Sequence, residues 1–287
     1  MVFGSFYPFM RNHNGKFEID QDPAEWSPDH HEKIKISLRL RYSLLPELHH
    51  LFYQSHIEGG TVIKSMAEVF YTDAGSRDIS DQFLWGESIL VAPVITEGPE
   101  FKRKVYLPED FFELESGTLV QKGTIDVDQL IPLYLRPNSI ILRQLEVAQT
   151  ITETRKSPFS VFVGFTQDDE ITKTLYWDDD NNGDFLENHY LLNVKISKSD
   201  NDWNFDFSAE KMGDFSVPSV DQITVYFTGE KPQNLVAHSE NGGSEIVDVT
   251  ETETGFTITG LVAASKKLGL DSTWHRLSIS TFDSATN

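Results

Sequence analysis

Only one stretch of this chain can form a long helix, and it ends before residue 60. It follows "DPAEWSPDHHE": Ser27 can cap it, Pro28 suits the first helical position, and Asp29 falls in the first turn, where the helix dipole favours a carboxylate. Ile34, Leu38, Arg41, Leu44, Leu45, Leu48, Leu51 and Phe52 then recur at helical spacing, and Gly59-Gly60 stops the run. Pro46 lies inside it and is expected to bend the helix or split it in two. After Gly60 the pattern changes. "TVIKSMAEVFY", "SILVAPVI", "KRKVYLP", "LIPLYLRPNSIIL", "FSVFVGF" and "TLYWDDD" are short β-rich runs parted by Pro, Gly and Asp. From Asn188 onward come weaker runs of the same kind, from "YLLNVKIS" to "HRLSIST". Their alternation predicts antiparallel sheets with one wet face, and so many short strands predict one or two β-sandwiches. Polar, turn-like stretches near residues 73–78 and 152–158 are the expected boundaries. Residues 1–60 are too little for an independent α/β domain and read as the tail of a larger one.

Composition excludes several classes of function. With 39% hydrophobic and 12% aromatic residues, 287 residues can bury a core, so wholesale disorder is excluded. The net charge of −21, from 45 acidic and 24 basic residues, repels a phosphate backbone, and no Lys/Arg patch offsets it, so no nucleic-acid partner is expected. The absence of cysteine removes disulfides, thiolate catalysis and Cys-based metal sites and leans towards a reducing compartment. No N-x-[ST] sequon occurs. Residues 1–14 have neither a basic n-region nor a long apolar run, and no window approaches the roughly 18 apolar residues of a membrane span, so a soluble chain without a transmembrane segment is expected.

The segment "FYPFMRNHN", residues 6–14, sets Phe6, Tyr7 and Phe9 beside Arg11, Asn12, His13 and Asn14. A sugar has apolar C–H faces and a rim of hydroxyls, so aromatics beside fixed hydrogen-bonding groups suit it. The same residues also fit a core cluster that leads into a polar turn. Together with segments further along the chain, they carry a resemblance. "GSFYPFMRNHN", "QDPAEW", "LRLRYSLLPELHHLFYQSH", "DQFLWGESILVAPV", "YLP", "IPLYLRPNSII" and "LYWDDD" come in the order of glycoside hydrolase family thirty-one, the α-glucosidases of the maltase, sucrase-isomaltase and lysosomal type. The landmarks cover about residues 3–180.

The resemblance implies an α/β plus all-β chain: the last part of a (β/α)₈ TIM barrel over residues 1–72, a proximal β-sandwich over 73–155 and a distal one over 156–287. The segment "FYPFMRNHN" would lie in a loop at the barrel's catalytic face. His13 matches the family histidine that hydrogen-bonds glucose hydroxyls, while Arg11, Asn12 and Phe9 match positions that support the loop. The family's nucleophile and acid/base are two aspartates that precede this landmark, and none of residues 1–5 is acidic. The expected function is therefore the C-terminal part of a retaining exo-α-glucosidase acting on terminal α-1,4-linked glucose of maltose-type oligosaccharides. The isolated chain is expected to be inactive, and the missing N-terminal barrel half is its expected partner. No cofactor is implied. By family analogy the compartment would be lysosomal, secreted or cell-surface. The alternative is a non-catalytic carbohydrate-binding or interaction module from a truncated product.

Two local departures bear on these expectations. The family usually has Arg-Pro where this chain has Lys64-Ser65, on the expected final barrel strand, and Lys cannot reproduce a bidentate guanidinium contact. Asp178, Asp180, Asn182 and Gly183 match positions of a calcium loop, but His189 stands where that loop requires a Glu, and "TLYW" before it reads as a strand rather than a helix. A plain hairpin turn is the preferred reading. His30-His31 sits at a helix start, where a positive charge is unfavourable, His49-His50 lies on a helix with one side exposed, and the spacing of His49, Tyr53 and His56 gives no zinc-binding histidine pair, so these histidines read as structural or solvated. Asp20, Asp22, Glu18 and Glu25 match no catalytic position.

Overall fold

The computed structural model describes residues 3–95, 102–166, 170–180, 183, 187–200, 202–211, 214–274 and 276–281. The long helical run is two helices, α1 (Pro28–Ser43) and α2 (Leu45–Glu58), meeting at Leu44, close to a proline whose ring forbids an unbroken hydrogen-bond ladder. Gly59 and Gly60 end α2 with φ of 83° and 86°, a conformation that a side chain disfavours. Ser27 stands at the N-cap as expected, but its hydroxyl engages His30 Nδ1 at 2.7 Å and caps no backbone N–H.

Eight short strands come next: β1 (Ile63–Ser65), β2 (Phe83–Trp85), β3 (Ile89–Val91), β4 (Lys102–Leu107), β5 (Phe111–Glu113), β6 (Leu119–Val120), β7 (Gly123–Asp128) and β8 (Leu133–Leu135). Six of them form one antiparallel sheet in the order β1-β2-β3-β8-β5-β6, and β4 and β7 form a separate ribbon. One face of the sheet packs Leu84, Leu90, Phe111 and Tyr134 with Val105 and Leu107 of the ribbon. The other face packs Trp85, Ile89, Val91 and Phe112 with Phe6 and with Leu44 and Leu48 of the helices. Central strands β2, β3 and β8 are thus buried throughout, which departs from the expectation of one wet face. Their runs FLW, ILV and LYL are apolar at every position because both faces are covered. Lys64 and Ser65, expected on a barrel strand, lie on β1, which pairs antiparallel with β2.

The second sheet holds ten strands: β9 (Ser139–Gln144), β10 (Phe159–Gly164), β11 (Glu170–Asp178), β12 (His189–Ser199), β13 (Asp202–Lys211), β14 (Val220–Tyr226), β15 (Leu235–His238), β16 (Ser244–Thr252), β17 (Gly255–Thr259) and β18 (Leu277–Thr281). Their order is β11-β12-β13-β18-β15-β16-β17-β14-β10-β9. Strand β16 pairs with β15 through residues 244–247 and with β17 through residues 248–252, so one continuous sheet folds over into two layers. Aromatic rings fill the space between them: Trp203 of β13 meets Phe256 of β17 at 5.1 Å, edge to face, and Phe159 of β10 meets Trp177 of β11 at 5.0 Å. Strand β9 is the edge of this sheet, pairing with β10 from Ser139↔Gly164 to Gln144↔Phe159. The 155/156 position therefore falls between two neighbouring strands of one sheet.

Candidate functional site

The segment expected to meet substrate begins in the core and ends in solvent. Residues Phe3–Phe6 make one 3₁₀ turn, and Phe6 is buried with its ring 5.8 Å from that of Trp85. The indole N–H of Trp85 donates to the Phe6 carbonyl at 2.6 Å. Arg41, projecting from α1, donates to the carbonyls of Ser5 (2.6 Å), Tyr7 (2.7 Å) and Pro8 (3.1 Å). One planar guanidinium with five donors can hold three carbonyls at once, a role that an ammonium's geometry does not fill. Tyr7 lies against Phe83, ring centres 5.4 Å apart. Residues 5–8 are thus fixed from two sides, by a helix and by a strand.

Beyond Pro8 the chain leaves the protein surface. Phe9 is 75% exposed, and Arg11, Asn12 and His13 are exposed beside it. The Asn12 amide donates to the Gln21 carbonyl at 2.9 Å and closes a loop over residues 12–21. The loop turns at Gly15–Glu18, with Phe17 at φ 76°. Phe17 and Ile19 point into solvent at 93% and 86% exposure. Asp22 then accepts the Ala24 N–H at 2.9 Å and starts a 3₁₀ turn at Pro23–Glu25. Phe9 and Arg11 lie on the exposed lead-in to this loop and Asn12 and His13 at its start, and neither Arg11 nor His13 makes a hydrogen bond or ion pair among the described residues. Glu18, Asp20, Asp22 and Glu25 are exposed on the same arm, and Asp22 is engaged as a cap. The loop can offer a sugar an aromatic face and donors on a fixed base.

A second polar cluster joins α2 to the second sheet, and local sequence carries little sign of it. Glu47 is 3% exposed; its carboxylate accepts the Leu142 N–H at 2.6 Å and the Lys173 ammonium at 2.8 Å. His50 is equally buried, and its Nδ1 accepts the Tyr176 N–H at 3.1 Å. Burial, with Lys173 and His49 nearby, pushes its pKa from 6.5 down to about 3. His49 lies 3.4 Å from the Asp178 carboxylate; burial lowers its pKa and Asp178 opposes that shift. Tyr53 stacks on Tyr176 at 4.2 Å. Asp178 also accepts the Tyr176 hydroxyl at 2.9 Å and is bridged by Arg155. Both histidines are thus engaged within the protein, His50 by a backbone N–H and His49 beside a carboxylate.

The calcium-like motif is part of this cluster. Strands β11 and β12 pair with Asp178 opposite His189, so strands flank the motif and Asp178 is occupied by protein donors. Asn182 lies outside the described residues. Lys64 bridges to Glu87 at 2.8 Å, a single ion pair in place of a guanidinium fork.

Known proteins of similar sequence and fold agree with one another. Residues 1–51 match the glycosyl hydrolases family 31 TIM-barrel domain, and residues 59–141 match the glycosyl hydrolase family 31 C-terminal domain. Over 202 residues the chain is 35% identical to probable maltase-glucoamylase 2 of Homo sapiens, covering 67% of this chain and 8% of that protein. It is 29% identical over 272 residues to glucoamylase 1 of Schwanniomyces occidentalis, covering 91% of this chain and 27% of that one. The glucosidase II alpha subunit superposes with a TM-score of 0.80 at 19% identity, covering 98% of this chain and 32% of that chain, and so shares the fold. The chain therefore spans a small part of the length of these relatives.

Proposed function

For a chain that belongs to glycosyl hydrolase family 31, we propose that it supplies the C-terminal part of a retaining exo-α-glucosidase, with residues 6–14 forming one wall of the sugar site. The observation that carries this reading is the segment's construction: residues 5–8 clamped by Arg41 and Trp85, followed directly by an exposed stretch that presents Phe9, Arg11, Asn12 and His13 to solvent. A substrate-positioning element needs such a fixed origin, because small misplacements of a binding group cost rate steeply. In this reading His13 donates to glucose hydroxyls, and Phe9, Arg11 and Asn12 hold the loop's shape around it. The nucleophile and the acid/base are two aspartates outside residues 1–287, and the β-rich remainder braces the barrel. Glycoside hydrolysis with retention needs both carboxyl groups about 5–5.5 Å apart. Here the exposed acids of the arm match neither position.

Two measurements test the reading. The purified 287-residue chain should release no glucose from maltose; robust turnover would overturn the assignment of both carboxylates to a missing part. An antibody raised against residues 153–287 should detect a native polypeptide much heavier than 32.7 kDa, and in that polypeptide His13→Ala should lower kcat/KM for maltose by about a hundredfold or more, in line with loss of a positioning group.

A further inference from the structure

The exposed arm over residues 9–22 holds reactive chemistry in its own backbone. An asparagine followed by glycine can lose its side-chain amide without an enzyme, because glycine has no Cβ to crowd the nitrogen that attacks. The chain contains three such pairs: Asn14-Gly15, Asn182-Gly183 and Asn241-Gly242. Asn182 lies outside the described residues, and the other two pairs sit in opposite settings. Asn14 and Gly15 lie between the neck of the loop, where the Asn12 amide donates to the Gln21 carbonyl at 2.9 Å, and its turn, where the Glu18 N–H donates to the Gly15 carbonyl at 3.1 Å. Asn14 is half-buried and Gly15 exposed, and neither the Asn14 amide nor the Gly15 N–H makes a hydrogen bond among the described residues. The Gly15 nitrogen is therefore open to a base from solvent.

Gly242 differs. Its N–H donates to the Ser239 carbonyl at 3.0 Å in the turn that joins β15 to β16, with φ of 82°. The Ser239 N–H donates in return to the Gly243 carbonyl at 3.1 Å, so attack by the Gly242 nitrogen must first open this turn. Asn12 is protected in another way: its amide is held by Gln21, and His13 sets a side chain beside the next nitrogen. Of these asparagines, only Asn14 combines a glycine after it with a nitrogen that nothing holds.

We propose that Asn14 is a site of spontaneous deamidation, one residue after His13. The Gly15 nitrogen gives its proton to hydroxide and bonds to Asn14 Cγ. The Cγ–Nδ2 bond then breaks, and the amide nitrogen leaves as ammonia with a proton taken from water. Water next opens the five-membered imide. Opening at Cγ leaves an aspartate, and opening at the main-chain carbonyl leaves an isoaspartate, whose backbone runs through Cβ and Cγ. The sum is one amide and one water exchanged for one carboxylate and one ammonium ion, with nothing oxidised. Either product sets a negative charge beside His13, and isoaspartate also lengthens the chain there. Peptide mapping by mass spectrometry of the 287-residue chain, held folded or in urea at mildly alkaline pH, tests the site. In urea, Asn14 and Asn241 should convert at rates within about threefold of each other, since glycine follows both. In the folded chain Asn14 should keep its rate, while Asn241 slows by about tenfold, the effect of a hydrogen-bonded turn that must open first. Gly15→Ala, whose Cβ would meet the flexible Glu18 side chain at 3.3 Å, should slow conversion of Asn14 by about tenfold. Asn14 that keeps its amide in the folded chain as long as Asn241 does would overturn the proposal, as would Gly15→Ala converting as fast as the wild type. The consequence for sugar binding rests on the function proposed above: in the native polypeptide, kcat/KM for maltose should fall in step with the converted fraction. Conversion of Asn14 with undiminished hydrolysis would sink the loop reading and leave the modification site standing.

Discussion

Arg41 holds together two parts of the chain that lie more than thirty residues apart. Arg41→Ala would leave the carbonyls of Ser5, Tyr7 and Pro8 without their charged donor. Bonds to charged groups are worth about 1.5–3 kcal/mol each at most and are not additive, so a total loss of about 3 kcal/mol is expected by urea unfolding. Cleavage within residues 9–22 should quicken at the same time; unchanged stability and protease resistance would show that Trp85 alone anchors the loop. His50 sets a second expectation, in pH. Its unfolded imidazole takes up a proton near 6.5, whereas the folded one resists until about 3. The folded state is therefore favoured in full above 6.5 and loses that advantage as pH falls towards 3. Between pH 7 and pH 5 this amounts to about 2 kcal/mol, and His50→Asn, which keeps an acceptor for the Tyr176 N–H, should flatten the slope. A pH-independent unfolding free energy over that range would refute it.

At the scale of elements, the sequence is legible where local chemistry decides the outcome. Pro46 marks the break between α1 and α2, and Gly59-Gly60 marks the end of α2, because ring closure and positive φ are properties of single residues. The strands are legible as runs, but their partners are not. Nothing in "FLW" or "ILV" says which layer covers each face; that depends on the β4–β7 ribbon on one side and on α2 with Phe6 on the other. Likewise the loop at residues 6–14 stands out by its composition, while its clamp does not, since Arg41 reads as one more position on a helical face. The roles of Glu47 and His50 are hidden for the same reason: their partners Lys173, Leu142 and Tyr176 lie about a hundred residues away. Gly255 tests the second sheet's packing. A Cβ there would sit 1.8 Å from the Val225 carbonyl oxygen, inside the β14–β17 ladder. Backbone cannot step aside as a flexible side chain can, so Gly255→Ala should cost about 3 kcal/mol or more in a urea titration. A loss below about 1 kcal/mol would mean that the ladder can shift locally.

At the scale of the whole molecule, the crossing from β9 to β10 matters most. Residues 145–158 run over the surface through a short helix at Ile151–Thr154, yet they join two strands that already share six residue pairs. Strand β9 comes after β8 of the first sheet with only residues 136–138 between, so the two sheets are linked by a taut strand rather than a tether. Trypsin cleavage at Arg155 or Lys156 should therefore yield two bands on a denaturing gel and one peak at the intact mass on a sizing column, with near-native melting; two separated peaks would show that the ladder is too weak to hold. The same feature has an implication for ancestry and engineering. The covalent seam and the structural seam of this protein do not coincide: the strand that completes the second half is encoded upstream of the exposed crossing. Recombination or splitting at that crossing would hand each recipient an unfinished object, one with an orphan ribbon and the other with a vacant slot. Such a pair would be obligate complements, and co-expression of the two pieces would restore what neither could make alone.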